Sequence, residues 1–253
     1  MSTQHSQGHG RNPIHAAGRS ADPVRHSKAD AVDDREFERL LEGARELGES
    51  QYYYEPDPVF TVYVLGRLGL RRGELCHLRE DWIDWREQMI RIPEHDSCRM
   101  GKDGRQCGYC RQLAKQRVEY AEDDAELDTE TALEWMWVPK TKAAAREIYY
   151  GWDPRAAMYI ERYFDSPEYS RYEASGAAVN RRVKKAAELG GLNPESIHPH
   201  ALRATAATFH AARGLAPTAL MQMFGWANLD TAEVYIGRNS GNTARQLDAI
   251  HQN

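Results

Sequence analysis

Apolar residues recur along the chain in two rhythms. Across 35–48, Phe37, Leu40, Leu41, Ala44 and Leu47 fall three and four positions apart, which places them on one face of a helix. A second helix is predicted over 57–68, behind the start signal of Pro56 and Pro58, and a short third one over 74–78. Then the rhythm changes. The runs 82–85 and 89–93 are rich in strand formers and flank Arg86, Glu87 and Gln88, which predicts a hairpin. A second strand pair is predicted from 134–139 and 146–150, around a turn carrying Lys140, Thr141 and Lys142. Beyond Asp153 the helical spacing returns, with helices predicted at 153–164, 175–189, 199–213, 217–224, 229–236 and 241–250. The pattern describes a mostly α protein with a small antiparallel β-sheet, an α+β arrangement.

Residues 1–34 show no such periodicity and are rich in Ser, His, Gly, Asp and Pro, so a disordered tail is expected there and one folded domain over 35–253. A chain of 253 residues is long enough to bury a sizeable core. Neither a membrane-crossing run nor a signal-type stretch is visible, so a cytoplasmic protein is expected.

Charge changes this picture more than composition does. With 38 acidic against 33 basic residues the formal charge is -5, which argues against broad affinity for nucleic acid. The acids are unevenly spread, however. They crowd between Glu119 and Glu134 with no base among them, while Arg181, Arg182, Lys184 and Lys185 form a basic cluster that can grip DNA phosphates locally. Arginine far outnumbers lysine, as suits a salt-loving organism or a GC-rich genome.

Three stretches carry candidate chemistry. In Gly69-Leu70-Arg71-Arg72-Gly73-Glu74-Leu75, at a junction between two helices, Arg71 offers a planar, permanently charged fork suited to a phosphate. In His200-Ala201-Leu202-Arg203, behind the helix-opening Pro199, a spacing of three puts an imidazole and a guanidinium on one helix face. Such a pair suits a phosphoryl centre, one group exchanging a proton and the other holding anionic oxygen. The third stretch runs from Phe224 to Tyr235, with a turn at Gly225-Trp226 and a new helix behind Asp230.

The order Gly-Leu-Arg-x-x-Glu-Leu, then His-x-x-Arg, then Gly-Trp followed nine residues later by Tyr resembles the tyrosine site-specific recombinases and phage-type integrases, over about 57–235. A haloarchaeal or mobile-element member would suit the composition. The resemblance implies the catalytic-domain fold of that family and DNA strand cleavage and rejoining through a 3′-phosphotyrosyl intermediate. Arg71 and Arg203 would bracket the scissile phosphate, His200 would assist deprotonation of the nucleophile or bind the phosphate, and Tyr235 would be that nucleophile. Trp226 falls where most members carry His; an indole can steady a phosphate oxygen by donating a hydrogen bond but cannot move a proton. Lys140 matches the hairpin lysine that protonates the leaving 5′ oxygen, with Lys142 as the alternative, and Glu74 would orient Arg71. Chemistry of this kind needs no cofactor. The implied partners are double-stranded DNA and three further copies of the chain, as a homotetramer on two DNA sites, without a membrane. A DNA-relaxing enzyme of the type IB topoisomerase kind and a non-catalytic DNA-binding accessory protein are the alternatives.

Two features depart from the resemblance. Residues 94–134 form an insertion, in which His95-x2-Cys98 and Cys107-x2-Cys110 have the spacing of a Cys3His zinc knuckle, with Gly101, Gly104 and Gly108 allowing tight turns. A structural Zn2+ is expected there, closed to water, and Cys76 is expected in the core. The front of the chain is also shorter than a family core-binding domain requires, so another chain is expected to supply that clamp unless the grip on DNA is weak. The helix at 241–250 is expected to dock either on a neighbouring protomer or on its own domain.

Overall fold

In the computed structural model, residues 27–50, 57–120, 128–165, 170–236, 248 and 251 are described. Helix α1 (Asp34–Glu49) forms where the three-and-four spacing places it. A capping box fixes its start: the Glu36 N–H donates to Asp33 at 2.8 Å, and the Asp33 N–H donates to the Glu36 carboxylate at 3.0 Å. Helix α2 (Pro58–Gly66) is capped by Asp57 and is buried at every position, which explains why its sequence is apolar all round. It lies at the centre of the fold against α1, α6 (Pro154–Phe164), α7 (Gly176–Leu189) and α8 (Pro199–Ala212). Helix α3 (Arg72–His77) follows, then α4 (Gly108–Tyr120) and α5 (Thr129–Glu134) within the insertion, and α9 (Pro217–Phe224) and α10 (Leu229–Ile236) at the end.

Helices α1 and α7 cross so closely that Gly43 has no room for a side chain. A Cβ there would stand 2.1 Å from the Ala186 carbonyl oxygen and 2.4 Å from the Gly190 nitrogen. Both obstacles are backbone, so Gly43→Ala is expected to force the helices apart and cost roughly 1–3 kcal/mol, read as a lower denaturation midpoint. A midpoint at or above that of the parent would mean the helices do not pack this tightly.

The sheet has three antiparallel strands in the order β1 (Ile83–Asp84), β2 (Met89–Ile92), β3 (Arg146–Tyr149). Ile90 faces Ile83 on one side and Ile148 on the other, and all three are buried. On the other face Arg91 pairs with Asp84 at 2.7 Å and with Glu147 at 2.9 Å. The first hairpin is therefore as expected, but the second strand pair is not. Residues 134–139 are not a strand, and β3 joins β2 instead. Met136, Trp137 and Val138 are buried, as their apolar character demands, but they run along the insertion, where the Asp96 and Cys98 N–H groups donate to the Trp137 and Met136 carbonyls at 2.7 and 2.6 Å. An apolar run signals burial; it does not say which backbone will cover it.

The packed chain also begins before Arg35. A 3-10 turn over Ser27–Asp30 places Lys28 Nζ 3.0 Å from the Val234 carbonyl and 3.3 Å from that of Tyr235, and Val32 donates its N–H to Thr205 Oγ1 at 3.0 Å. The expectation of a disordered tail thus fails over 27–34, and for residues 1–26 it lies outside the described residues, as does most of the predicted helix at 241–250.

Candidate active site

Glu74 sits at the centre of the site and is 1% exposed. Its carboxylate receives Arg71 Nη1 at 2.7 Å, Arg146 Nη1 at 2.8 Å and Arg146 Nη2 at 2.9 Å, and also accepts the Arg71 backbone N–H at 2.7 Å. Burial alone would raise its pKa, but the Arg146 guanidinium outweighs that and, with Arg203 and Arg71, holds the group at about 2. Arg203 is itself buried and donates to the carbonyls of Gly69 and Phe224. Burial works against its charge, which Glu74 supports and Arg71 and Arg146 oppose; a guanidinium resists deprotonation strongly enough to remain a cation here. Three guanidiniums thus surround one carboxylate, and the local balance is positive.

Two glycines make this convergence possible. Gly69 has φ +69°, and a Cβ there would meet the Phe224 ring at 2.4 Å. Gly225, the left-handed C-cap of α9, would place a Cβ 2.7 Å from the Ala143 carbonyl oxygen, and its own carbonyl accepts Arg71 Nη2 at 2.9 Å. Arg146 further donates to the Met223 and Ala144 carbonyls, both at 2.7 Å, tying β3 to the end of α9.

A cleft of about 990 Å³ opens beside this cluster, lined among others by Arg71, Lys140, His200, Arg203 and Trp226. Five of the six residues predicted to be catalytic therefore line one cavity. His200 stands at its rim, in the first turn of α8, one helical turn before Arg203. Partial burial, then the charges of Arg203 and His198, lower its pKa, so the imidazole is neutral at physiological pH and can accept a proton. The sixth residue, Tyr235, does not line the cleft. The residue is 8% exposed, and its ring stacks on Trp226, centroids 5.2 Å apart and 9° from parallel, while Trp226 stacks in turn on Phe224 at 4.9 Å. Lys142 is exposed in the 3-10 turn Lys142–Ala144 and does not line the cleft.

The basic cluster lies on α7, with Arg181 exposed and Arg182 half-buried. Lys184 pairs with Glu195 and Lys185 with Glu188, each at 2.9 Å. Both pairs are exposed, and exposed pairs of this kind hold together by about 1 kcal/mol or less.

The cysteines of the insertion converge as expected, but their histidine partner is a different one. His77, the last residue of α3, brings Nε2 to 3.4 Å from Cys98 Sγ, 3.6 Å from Cys107 Sγ and 3.3 Å from Cys110 Sγ. These four ligand atoms lie within 4.8 Å of one another and can hold a metal ion. His95 is not among them; its ring packs edge-on against Trp135. Sequence spacing favoured a ligand within the same loop, whereas the docking of α3 supplies one from far upstream. Cys76 is buried, as expected. Sequence reasoning also missed Arg146, because a single base at the head of a strand carries no signal until Glu74 is seen beside it.

The model of the phage integrase family matches residues 31–241. Among solved structures, the chain resembles the crystal structure of XerA recombinase, with TM-score 0.52 and 18% identity, covering 88% of this chain and 65% of that one. It also resembles the Tn1549 transposon integrase in complex with transposon right end DNA, with TM-score 0.56 and 18% identity, covering 92% of this chain and 69% of that one. The chain thus spans slightly less than two thirds of the XerA chain. At these identities the likeness shows the fold, mostly helical with a small antiparallel sheet. No curated protein matches it significantly. No described helix is long and apolar enough to cross a membrane.

Proposed function

Because this chain belongs to the phage integrase family, the tyrosine recombinases, we propose that it cleaves and rejoins double-stranded DNA at specific sites through a covalent bond between Tyr235 and a 3′ phosphate. The observation that carries this reading is the set of three guanidiniums around one buried carboxylate, beside a cleft that also holds His200 and Lys140. A phosphodiester entering that cleft adds the negative charge the cluster lacks. Arg71 and Arg203 keep unused N–H donors for its non-bridging oxygens and for the greater charge of the pentacoordinate transition state.

In this mechanism the neutral His200 takes the phenolic proton as the Tyr235 oxygen attacks phosphorus. The bond from phosphorus to the 5′ oxygen breaks, and Lys140, on the cleft wall, protonates the leaving oxygen. Attack by the 5′ hydroxyl of another strand reverses the step, so the energy of the phosphodiester is kept and no nucleotide is consumed. Trp226 holds the nucleophile by stacking and offers its indole N–H to a phosphate oxygen. Arg181, Arg182, Lys184, Lys185 and Lys142 would contact DNA phosphates outside the cleft; the surface pairs of Lys184 and Lys185 are weak enough for DNA to displace. Synapsis of two DNA sites calls for four copies of the chain. The Cys3His cluster enters as a structural Zn2+ site apart from the reacting atoms.

The test is incubation with a pool of nicked suicide DNA substrates that includes the sequences flanking the gene. An SDS-resistant adduct is expected, with the modified peptide containing Tyr235. DNA binding without adduct at both low and high salt would favour an accessory protein, and plasmid relaxation without recombinants would favour a topoisomerase-like activity.

A further inference from the structure

The recombination reading gives the cysteine cluster no part in the chemistry, yet the cluster closes on the helix that begins at the catalytic arginine. We infer that a zinc ion held by His77, Cys98, Cys107 and Cys110 clamps α3 in place, so that metal occupancy governs the position of Arg71 and Glu74. The catalytic consequence rests on the proposed function; the metal site does not.

The first argument is geometric. Tetrahedral zinc with a nitrogen at about 2.0 Å and sulfurs at about 2.3 Å has N···S edges of roughly 3.5 Å. The three distances from His77 Nε2, 3.3 to 3.6 Å, are close to that edge. The second argument is the surroundings. His77 Nδ1 lies 2.7 Å from the Gly73 carbonyl, which holds its proton on that side and turns the Nε2 lone pair toward the sulfurs. The Cys107 N–H points at Cys98 Sγ at 3.3 Å and the Cys110 N–H at Cys107 Sγ at 3.5 Å, as suits thiolates rather than thiols. Trp137 stacks on the imidazole, 5.4 Å between centroids, and screens it from water. Four protein ligands close the coordination sphere, so the ion holds structure and activates no water.

The third argument connects the cluster to the active site. Helix α3 has six residues, too few to be stable through its own hydrogen bonds. Arg71 caps its start, about 9 Å along the axis from His77 at its end, and Glu74 lies between them, about 4.5 Å from His77. Cys76, His77, Cys107 and Tyr109 form part of the wall of the catalytic cleft. With the metal gone, α3 keeps its hold at the Arg71 end and loses its fixed point at the other. His77 is therefore a positioning residue.

The full-length protein should carry one zinc per chain by elemental analysis, and Co2+ exchange should give the visible bands of a tetrahedral Cys3His site. His77→Ala and Cys107→Ser should lose the metal, His77→Cys should keep it, and His95→Ala should change nothing. On metal removal, amide exchange over residues 71–78 should accelerate while that of α1 and α7 stays as it was. DNA cleavage should fall roughly 100-fold, as small misplacements of reacting groups do, and return with added zinc or in His77→Cys. A metal-free purified chain that takes up no cobalt overturns the site, and loss of metal in His95→Ala overturns the ligand set. Unchanged exchange over 71–78 on metal removal, or exchange that rises equally everywhere, overturns the clamp. Should the zinc-loaded protein show the local exchange effect yet never form a DNA adduct, the clamp stands and the recombinase reading falls.

Discussion

Tyr235→Phe is expected to bind the same DNA as the parent protein and to form no covalent adduct, a loss in cleavage on the order of 10⁴-fold or more. The substitution removes one oxygen and leaves the rest of the site standing. The ring that stacks on Trp226 is retained, so the Phe224–Trp226–Tyr235 stack keeps its geometry. The backbone of the same residue is held by Lys28, whose ammonium lies against the Val234 and Tyr235 carbonyls at the end of α10, where the helix dipole favours a cation. Neither of these contacts involves the hydroxyl, so both survive the substitution. Binding measured beside adduct formation on the same nicked substrate separates a lost nucleophile from a lost fold. An adduct still formed by the phenylalanine variant would mean that another side chain attacks the phosphate.

The parts of the fold that sequence periodicity located well are those whose burial is set by their own amphipathic face. Helices α6 to α10 end within a residue or two of the predicted bounds, because Pro154, Pro199 and Pro217 mark their starts and Gly190 and Gly225 their ends. The insertion was less legible. Helix α4 mixes Arg111, Lys115 and Arg117 with few apolar residues, and among its described residues only Cys110 and Ala114 are buried, with Leu113 and Val118 partly covered beside them. The buried run Met136–Val138 looked like a strand because apolar, β-branched and aromatic residues mark burial equally well in a strand or in a covered loop. Among candidate site residues, those in ordered motifs were brought to one cleft except Tyr235, which stacks on the cleft residue Trp226. Those defined by a partner distant in sequence were out of reach: His77 belongs with cysteines that follow it by 21 to 33 positions, and Arg146 with Glu74, 72 positions before it. No spacing rule reports such pairs; only the docking of α3 against the insertion and of β3 against α9 creates them.

Glu74→Gln is the substitution with the largest expected cost to the folded state. Among the described residues its carboxylate is the one anion paired with Arg71 and Arg146 and supporting Arg203, and an amide of the same shape cannot balance them. It would also turn an NH2 group toward guanidinium donors that need an acceptor. Removing one partner of a buried ion pair leaves uncompensated charge, at a cost of about 3–5 kcal/mol, and Arg71 loses the contact that fixes its backbone and its fork together. Cleavage should fall with stability, while DNA binding through α7 should persist wherever the variant is folded. The pH dependence identifies the cause. Glu74 titrates at about 2 in the folded protein against 4.5 for the unperturbed group, so its ionised form contributes on the order of 3 kcal/mol. The folded pKa is the lower one, so that contribution is complete above about pH 4.5 and is lost as pH falls toward 2. Denaturation curves of the parent and Glu74→Gln, taken from pH 6 downward, should therefore converge below pH 4.5 as the parent loses what the variant never had. A gap between them that stays constant with pH would mean that shape, and not charge, sets the cost, and that the three arginines do not depend on this carboxylate to share one site.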